Sequence, residues 1–240
     1  MIVTERLEEV LVNEGKERLL LAPSLGCCDL FKMEQQVRFL DKKADFLHID
    51  IKDGNYVKTF GVGPDFMGYM KNLVHTPMDA HLMVSHPQDF IEACADAGAA
   101  YISPHTDCIE SDAFVTLNRI RRLGCKAGIA LNPAAPLEAI RYYLPLLDKV
   151  TIMLVDAGYA GQAVIPQMYD KIRALVKMRE EQQLNFIIEA DGSMNKGIYG
   201  PLYRAGADCV VLGPPALWNK HLEIEQAWEI MLNEVKEEVG

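Results

Sequence analysis

Eight short apolar runs, each compatible with a buried β-strand, alternate with longer amphipathic stretches. This alternation constrains the fold more than any other feature of the chain. The runs are 19–25 "LLLAPSL", 45–51 "DFLHIDI", 77–83 "PMDAHLM", 100–104 "AYISP", 125–131 "CKAGIAL", 149–155 "KVTIMLV", 185–191 "NFIIEAD" and 208–213 "DCVVLG". Helical patterns such as "HPQDFIEACADAG", "SDAFVTLNRIRRLG" and "IPQMYDKIRALVKMREEQQ" fall between them. Gly98, Gly124 and Gly206 stand where helices stop ahead of a strand. Eight strand–helix units without a linker predict a single parallel α/β domain, and eight is the number that closes a (β/α)8 TIM barrel. The rival is an open doubly wound sheet, which usually carries a Gly-rich nucleotide loop after its first strand. Here that turn reads "APSLGCCD", with no GxGxxG. Residues 17–240 are assigned to the barrel. Residues 1–16 form a short helix-like N-terminal extension, expected to cap the barrel or to serve an oligomer contact.

Half of the 240 residues are hydrophobic, ample for the core of such a domain. The net charge of −10 argues against a nucleic-acid partner, and an anionic metabolite would need a local positive site. No apolar run approaches a membrane span, and the first residues, "MIVTERLEEV", lack a signal-peptide core. A cytoplasmic location is expected. The six cysteines, Cys27, Cys28, Cys94, Cys108, Cys125 and Cys209, form no CxxC pair and read as reduced thiols. Met33, Met67, Met70 and Met168, at helical positions, read as core packing.

In a β/α barrel the chemistry gathers at the C-terminal ends of the strands. Strand alternation puts His48, Asp50 and Lys52 of "FLHIDIKDG" on one face, and likewise Asp79, His81 and Met83 of "DAHLM". The other strand ends offer Ser24, His105, Asn132, Met153 or Asp156, and Glu189 with Asp191. A His and a carboxylate two residues apart suit either metal ligation or acid/base work. Two His and two Asp from strands 2, 3 and 7 together suit one divalent ion, Zn²⁺, Fe²⁺, Mn²⁺ or Co²⁺ rather than Ca²⁺. His75, His86, His105 and His221 carry no such pattern and read as ordinary histidines. "GYAGQ" (158–162) offers backbone N–H groups to an anion, and Gly192-Ser193 sits where barrel phosphate sites usually lie. Gly213-Pro214-Pro215 suits that role less, because both prolines lack an N–H.

The order and spacing of "PSL", "HIDIKDG", "DAHLMV", "LNPAAP", "IMLVDAGYAGQ", "ADGS" and "GADCVVLG" resemble the ribulose-phosphate 3-epimerases over about residues 20–230. "GYAGQ", "IEADGS" and "NPAAPLEAIRYYL" look most like the branch acting on allulose 6-phosphate. The resemblance implies a metal-dependent ketose-phosphate 3-epimerase, acting on ribulose 5-phosphate and xylulose 5-phosphate or on the allulose 6-phosphate and fructose 6-phosphate pair, and expected to form a homo-oligomer. By motif, His48, Asp50, His81 and Asp191 match the metal ligands. Asp50 and Asp191 also match the acid/base pair that moves the C3 proton through an enediolate. Ser24, Met83 and Met153 match residues lining the substrate. Gly158, Gly161, Gln162, Gly192, Ser193 and Gly213 match the loops near the phosphate.

Four departures ring that site. Lys52 stands where the family has Met, Val57-Lys58-Thr59 where it has Val-Pro-Asn, and Ala157-Gly158-Tyr159 where it has Pro-Gly-Phe. Gly213-Pro214-Pro215 replaces Gly followed by Ser or Thr and another small residue. If the strand persists to residue 52, the Lys52 ammonium repels a dication or holds a substrate anion; if it ends at Ile51, Lys52 leans outward. Two rival functions follow: a barrel that binds a sugar phosphate without epimerising it, and an aldol or decarboxylation reaction using Lys52 as an amine nucleophile.

Overall fold

A computed structural model describes residues 18–159, 161–218 and 221–240; the proposed N-terminal extension lies outside the described residues. The strands are β1 (Leu20–Pro23), β2 (Leu47–Lys52), β3 (Met78–Met83), β4 (Ala99–Pro104), β5 (Lys126–Leu131), β6 (Lys149–Met153), β7 (Ile187–Asp191) and β8 (Cys209–Leu212). Each falls on one of the eight apolar runs. All pair in parallel, in the order β1-β8-β7-β6-β5-β4-β3-β2. The ring closes between β1 and β2 through a parallel bridge, Ser24 to His48. At that seam Asp45 donates its N–H to Leu21 O at 3.0 Å, and its carboxylate accepts Leu21 N–H at 2.9 Å and the Arg18 guanidinium.

The helices are α1 (Met33–Leu40), α2 (Pro64–Met70), α3 (Ile91–Asp96), α4 (Ala113–Arg122), α5 (Gln167–Glu181), α6 (Tyr199–Ala205) and α7 (Ile224–Val239). Between β5 and β6 the described chain has two 3-10 turns, Leu137–Ile140 and Leu144–Leu146, in place of an α-helix. Pro133, Pro136 and Pro145 explain this, since proline supplies no N–H and disfavours helix at the residue before it. Gly98, Gly124 and Gly206 end their helices with left-handed backbone. No helix among the described residues is long and apolar enough to cross a membrane.

The two faces of each strand do different work. On β2, Leu47, Ile49 and Ile51 pack into the main core beneath the helices, with Met67, Met70 and Met168. The alternate residues face the barrel interior. One part of it is apolar, a cluster of Ala22, Phe46, Tyr101, Ile187, Cys209 and Val211. Beside that cluster the interior turns polar, with Asp79, Ser103, Lys149, Thr151 and Glu189, all 1% exposed or less. His48, His81 and His105 follow, all fully buried. At the C-terminal mouth Val57, Met83, Met153 and Ala157 form an apolar wall.

Candidate active site

The register of β2 against β3 sets His48 beside Asp79 and Asp50 beside His81, and that of β6 against β7 sets Met153 beside Asp191. Four side chains therefore converge. His48 Nε2 lies 3.4 Å from Asp50 Oδ1, His81 Nδ1 lies 3.5 Å from Asp50 Oδ1, and His81 Nδ1 lies 3.6 Å from Asp191 Oδ2. One donor atom from each of the four lies within 4.8 Å of every other. His48 Nε2 and His81 Nδ1 are buried and have no hydrogen-bond partner among the described residues. Such orphaned groups are costly unless something occupies them.

A divalent cation fits this donor set. Ligand atoms about 2.1 Å from a tetrahedral ion stand about 3.4 Å apart, close to the separations found here. The other face of His48 is fixed as metal-bound histidines usually are: Nδ1 meets Asp79 Oδ2 at 2.9 Å. His81 Nε2 meets His105 Nε2 at 2.9 Å, and the two rings stack with centroids 5.0 Å apart. A second acidic group, His48 with Asp79 and Glu189, is filled by the Lys149 ammonium and is no cation site.

The electrostatics differ from group to group. Burial pushes Asp50 up, yet its contacts with His48 and His81, and the charges of His48 and Lys52, outweigh burial and hold it well below the usual carboxylate range. Ser24 Oγ also donates to Asp50 Oδ2 at 2.7 Å. Asp191 ends higher than usual: burial raises it, and the neighbouring Asp50 charge adds to that against the pull of His48 and His81. Burial opposes charge on His48, but Asp50 and Asp79 outweigh burial and raise its pKa well above the usual value. His105 is held well below, by burial and by the His81 charge.

Above the cluster lies a cavity of about 270 Å³, whose lining includes Ser24, Asp50, Lys52, Met83, Met153 and Asp191, with Gly158, Gly161, Gly192, Ser193 and Gly213 on one side. His48 and His81 sit below its floor. Lys52 is the last residue of β2, paired with Met83, and half-buried at the cavity edge, so the strand does not release it outward. Gln162 is held within its own loop. Its side-chain amide donates to its own loop, to Asp156 O at 2.8 Å and Tyr159 O at 2.9 Å. Ser193 Oγ is likewise bound to Gln162 O at 2.5 Å, which ties the two loops together. Leu217 N–H bonds Gly213 O at 3.2 Å and so closes the turn after β8.

The description of the ribulose-phosphate 3 epimerase family matches residues 20–217. The chain belongs to the ribulose-phosphate 3-epimerase family. Membership makes it an isomerase, a sugar epimerase by class. It is 36% identical to ribulose-phosphate 3-epimerase of Synechocystis sp. over 199 residues, 82% of this chain and 86% of that one. It is 34% identical to the Aquifex aeolicus enzyme of the same name over 209 residues, 86% of this chain and 93% of that one. Phosphoribosyl anthranilate isomerase from Thermococcus kodakaraensis shares the fold, with TM-score 0.61 and 14% identity over 91% of this chain and 99% of that one.

Around the family's site, the strand ends point to His105 and Asn132 but not to their partners, and Tyr56 and Lys149 escape that reading altogether. His105 lies on β4's inward continuation, and its partner is His81 rather than Asp107, which instead accepts the Tyr56 hydroxyl. Tyr56 also packs on the His105 ring at 4.9 Å and accepts the Asn132 amide at 2.7 Å. Lys149 is signalled only by its period-two relation to Thr151 and Met153, which puts a lysine on the inward face.

Proposed function

We propose that the chain is a metal-dependent ketose-phosphate 3-epimerase whose first substrate is ribulose 5-phosphate, converted to xylulose 5-phosphate. The observation that carries this is the pairing of Asp50 and Asp191. The two carboxylates come from β2 and β7, line one cavity, and differ in proton affinity in opposite directions. Opposed carboxylates of unequal proton affinity suit removal and return of one proton. Asp50, ionised, takes the C3 hydrogen made acidic by the adjacent C2 carbonyl. Asp191 returns a proton to the opposite face of the resulting enediolate and inverts C3. Ser24 steadies the Asp50 carboxylate at 2.7 Å. Met83 and Met153 supply a water-poor wall without exchangeable protons. A divalent cation, Zn²⁺, Fe²⁺, Mn²⁺ or Co²⁺, held by His48, Asp50, His81 and Asp191, supplies Lewis-acid stabilisation of the enediolate charge. The glycine-bearing loops at 158–162 and 192–193, with Gly213, face the phosphate end, and Lys52 adds positive charge there. The names carried by relatives 33–36% identical support the five-carbon substrate over allulose 6-phosphate.

The test is hydrogen exchange. In D2O, ribulose 5-phosphate should gain deuterium at C3 while xylulose 5-phosphate forms, followed by NMR. Asp50→Asn and Asp191→Asn should each slow turnover by about 10²–10⁴-fold. Binding of the sugar phosphate with no exchange at C3, for both five- and six-carbon ketoses, would replace this reading with that of a binding barrel.

A further inference from the structure

Toward the N-terminal side of the cluster the barrel interior holds an ammonium that takes no part in the proton transfer above. Lys149 opens β6 and is 1% exposed. Its Nζ donates to Glu189 Oε1 at 2.8 Å and to Asp79 Oδ2. Glu189 Oε1 also accepts the Thr151 hydroxyl at 2.8 Å. Asp79 Oδ2 is the same oxygen that His48 Nδ1 meets at 2.9 Å, while Asp79 Oδ1 has only a 3.5 Å contact with Ser103 Oγ. One carboxylate oxygen therefore serves two donors, an imidazole and an ammonium.

That sharing has a chemical consequence. A carboxylate accepting the far N–H of a histidine raises the basicity of the nitrogen that faces a metal. How far it does so depends on the charge left on the accepting oxygen. The ammonium is the stronger claimant, because it carries a full charge and makes a charge-assisted bond where both partners are buried. We propose that Lys149 is a positioning residue that detunes His48: by holding Asp79 Oδ2, it makes the cluster a weaker divalent-cation site than its four ligands alone would be. Glu189 balances the ammonium, drawing part of it off Asp79. The inference rests on the metal-dependent reading above.

The test uses two variants of the whole protein, with Mn²⁺ titrated calorimetrically and the His48 Nδ1 proton followed by NMR in metal-free protein. Lys149→Met/Glu189→Gln removes one charge of each sign, so the interior keeps its net charge while Asp79 serves His48 alone. Mn²⁺ should then bind about tenfold tighter, and the His48 proton should move downfield as its hydrogen bond strengthens. Glu189→Gln alone leaves the ammonium to Asp79, so Mn²⁺ should bind more weakly and the proton should move upfield. An unmoved His48 proton in the folded double variant overturns the proposal, whatever the Mn²⁺ affinity does. So does unchanged or weaker Mn²⁺ binding there, where the wild-type protein binds the cation. If the double variant does not fold, an unmoved proton in Glu189→Gln is the overturning result. If the wild-type protein binds no divalent cation, the metal reading fails, and the His48 proton still decides this proposal.

Discussion

Replacing Gly158 with alanine should separate backbone strain from loop packing at the mouth of the site. Gly158 has φ +85°, and an added Cβ would stand 2.4 Å from the Val57 Cβ. Val57 is 4% exposed, wedged against Met83, Met153 and Ala157, so it has nowhere to retreat. Gly161, three residues on, has φ +82° with nothing within 4 Å of a built Cβ among the described residues. A left-handed non-glycine residue costs about 1–2 kcal/mol. Forcing an extra carbon into a packed site costs about 1–3 kcal/mol more. Gly161→Ala should therefore lose about 1–2 kcal/mol of stability and Gly158→Ala about 2–5 kcal/mol, read from urea unfolding at constant m-value. Trimming Val57 as well, in Val57→Ala/Gly158→Ala, should recover about 1–3 kcal/mol relative to additivity. The Thr59 Oγ1 bond to Gly158 O, 3.2 Å long, joins the same two loops, so KM should rise in Gly158→Ala more than in Gly161→Ala. Equal stability losses at 158 and 161, or strict additivity in the double variant, would refute the latch between the loops.

Two further outcomes follow from the charges. Lys52→Met removes a cation whose field reaches Asp50, so metal-free protein should bind Mn²⁺ about fivefold tighter by calorimetry, equivalent to about 1 kcal/mol for a pair with one partly exposed member; unchanged affinity would place Lys52 out of electrostatic reach. Asp41 is buried enough to raise its pKa, yet N–H bonds from Thr76 and His75, each 2.7 Å, outweigh burial and hold it below 3.8. A lowered folded pKa contributes stability above 3.8 that is lost as pH falls through the folded value. Asp41→Asn should therefore be less stable than wild type at pH 7, with the gap narrowing in acid; a urea midpoint difference that stays constant with pH would contradict this.

Strands were legible because a buried parallel strand writes itself as a short apolar run, and the turns between them carry glycine. A count of eight strand–helix units implies a helix after β5, but three prolines leave that connection two 3-10 turns. His48, Asp50, His81 and Asp191 could be grouped because strand alternation puts each on the inward face, His48 two residues before Asp50. What lies deeper could not. The meeting of Lys149 with Asp79 and Glu189 joins β6 to β3 and β7 through the interior, and strand stagger, not alternation, decides which residues share a height. Gln162 shows a different limit: its motif position is as expected, but its amide turns back on its own loop, a rotamer choice that no sequence pattern encodes.

The seam between β1 and β2 gives the site a place in time. Ser24 reaches Asp50 only when β1 is seated, and β1 is seated against β8, with Ser24 N–H on Leu212 O at 3.0 Å. These are among the longest-range pairings in the chain, and such contacts are the slowest to form. During synthesis the four converging side chains can be present from β7 onward, while β1 has only its β2 flank, the His48 bridge and the Asp45 bonds, until β8 has emerged. Closing the ring therefore grips Ser24 from both flanks at once, and a chain stalled or cleaved ahead of β8 holds its Ser24–Asp50 contact from one side alone.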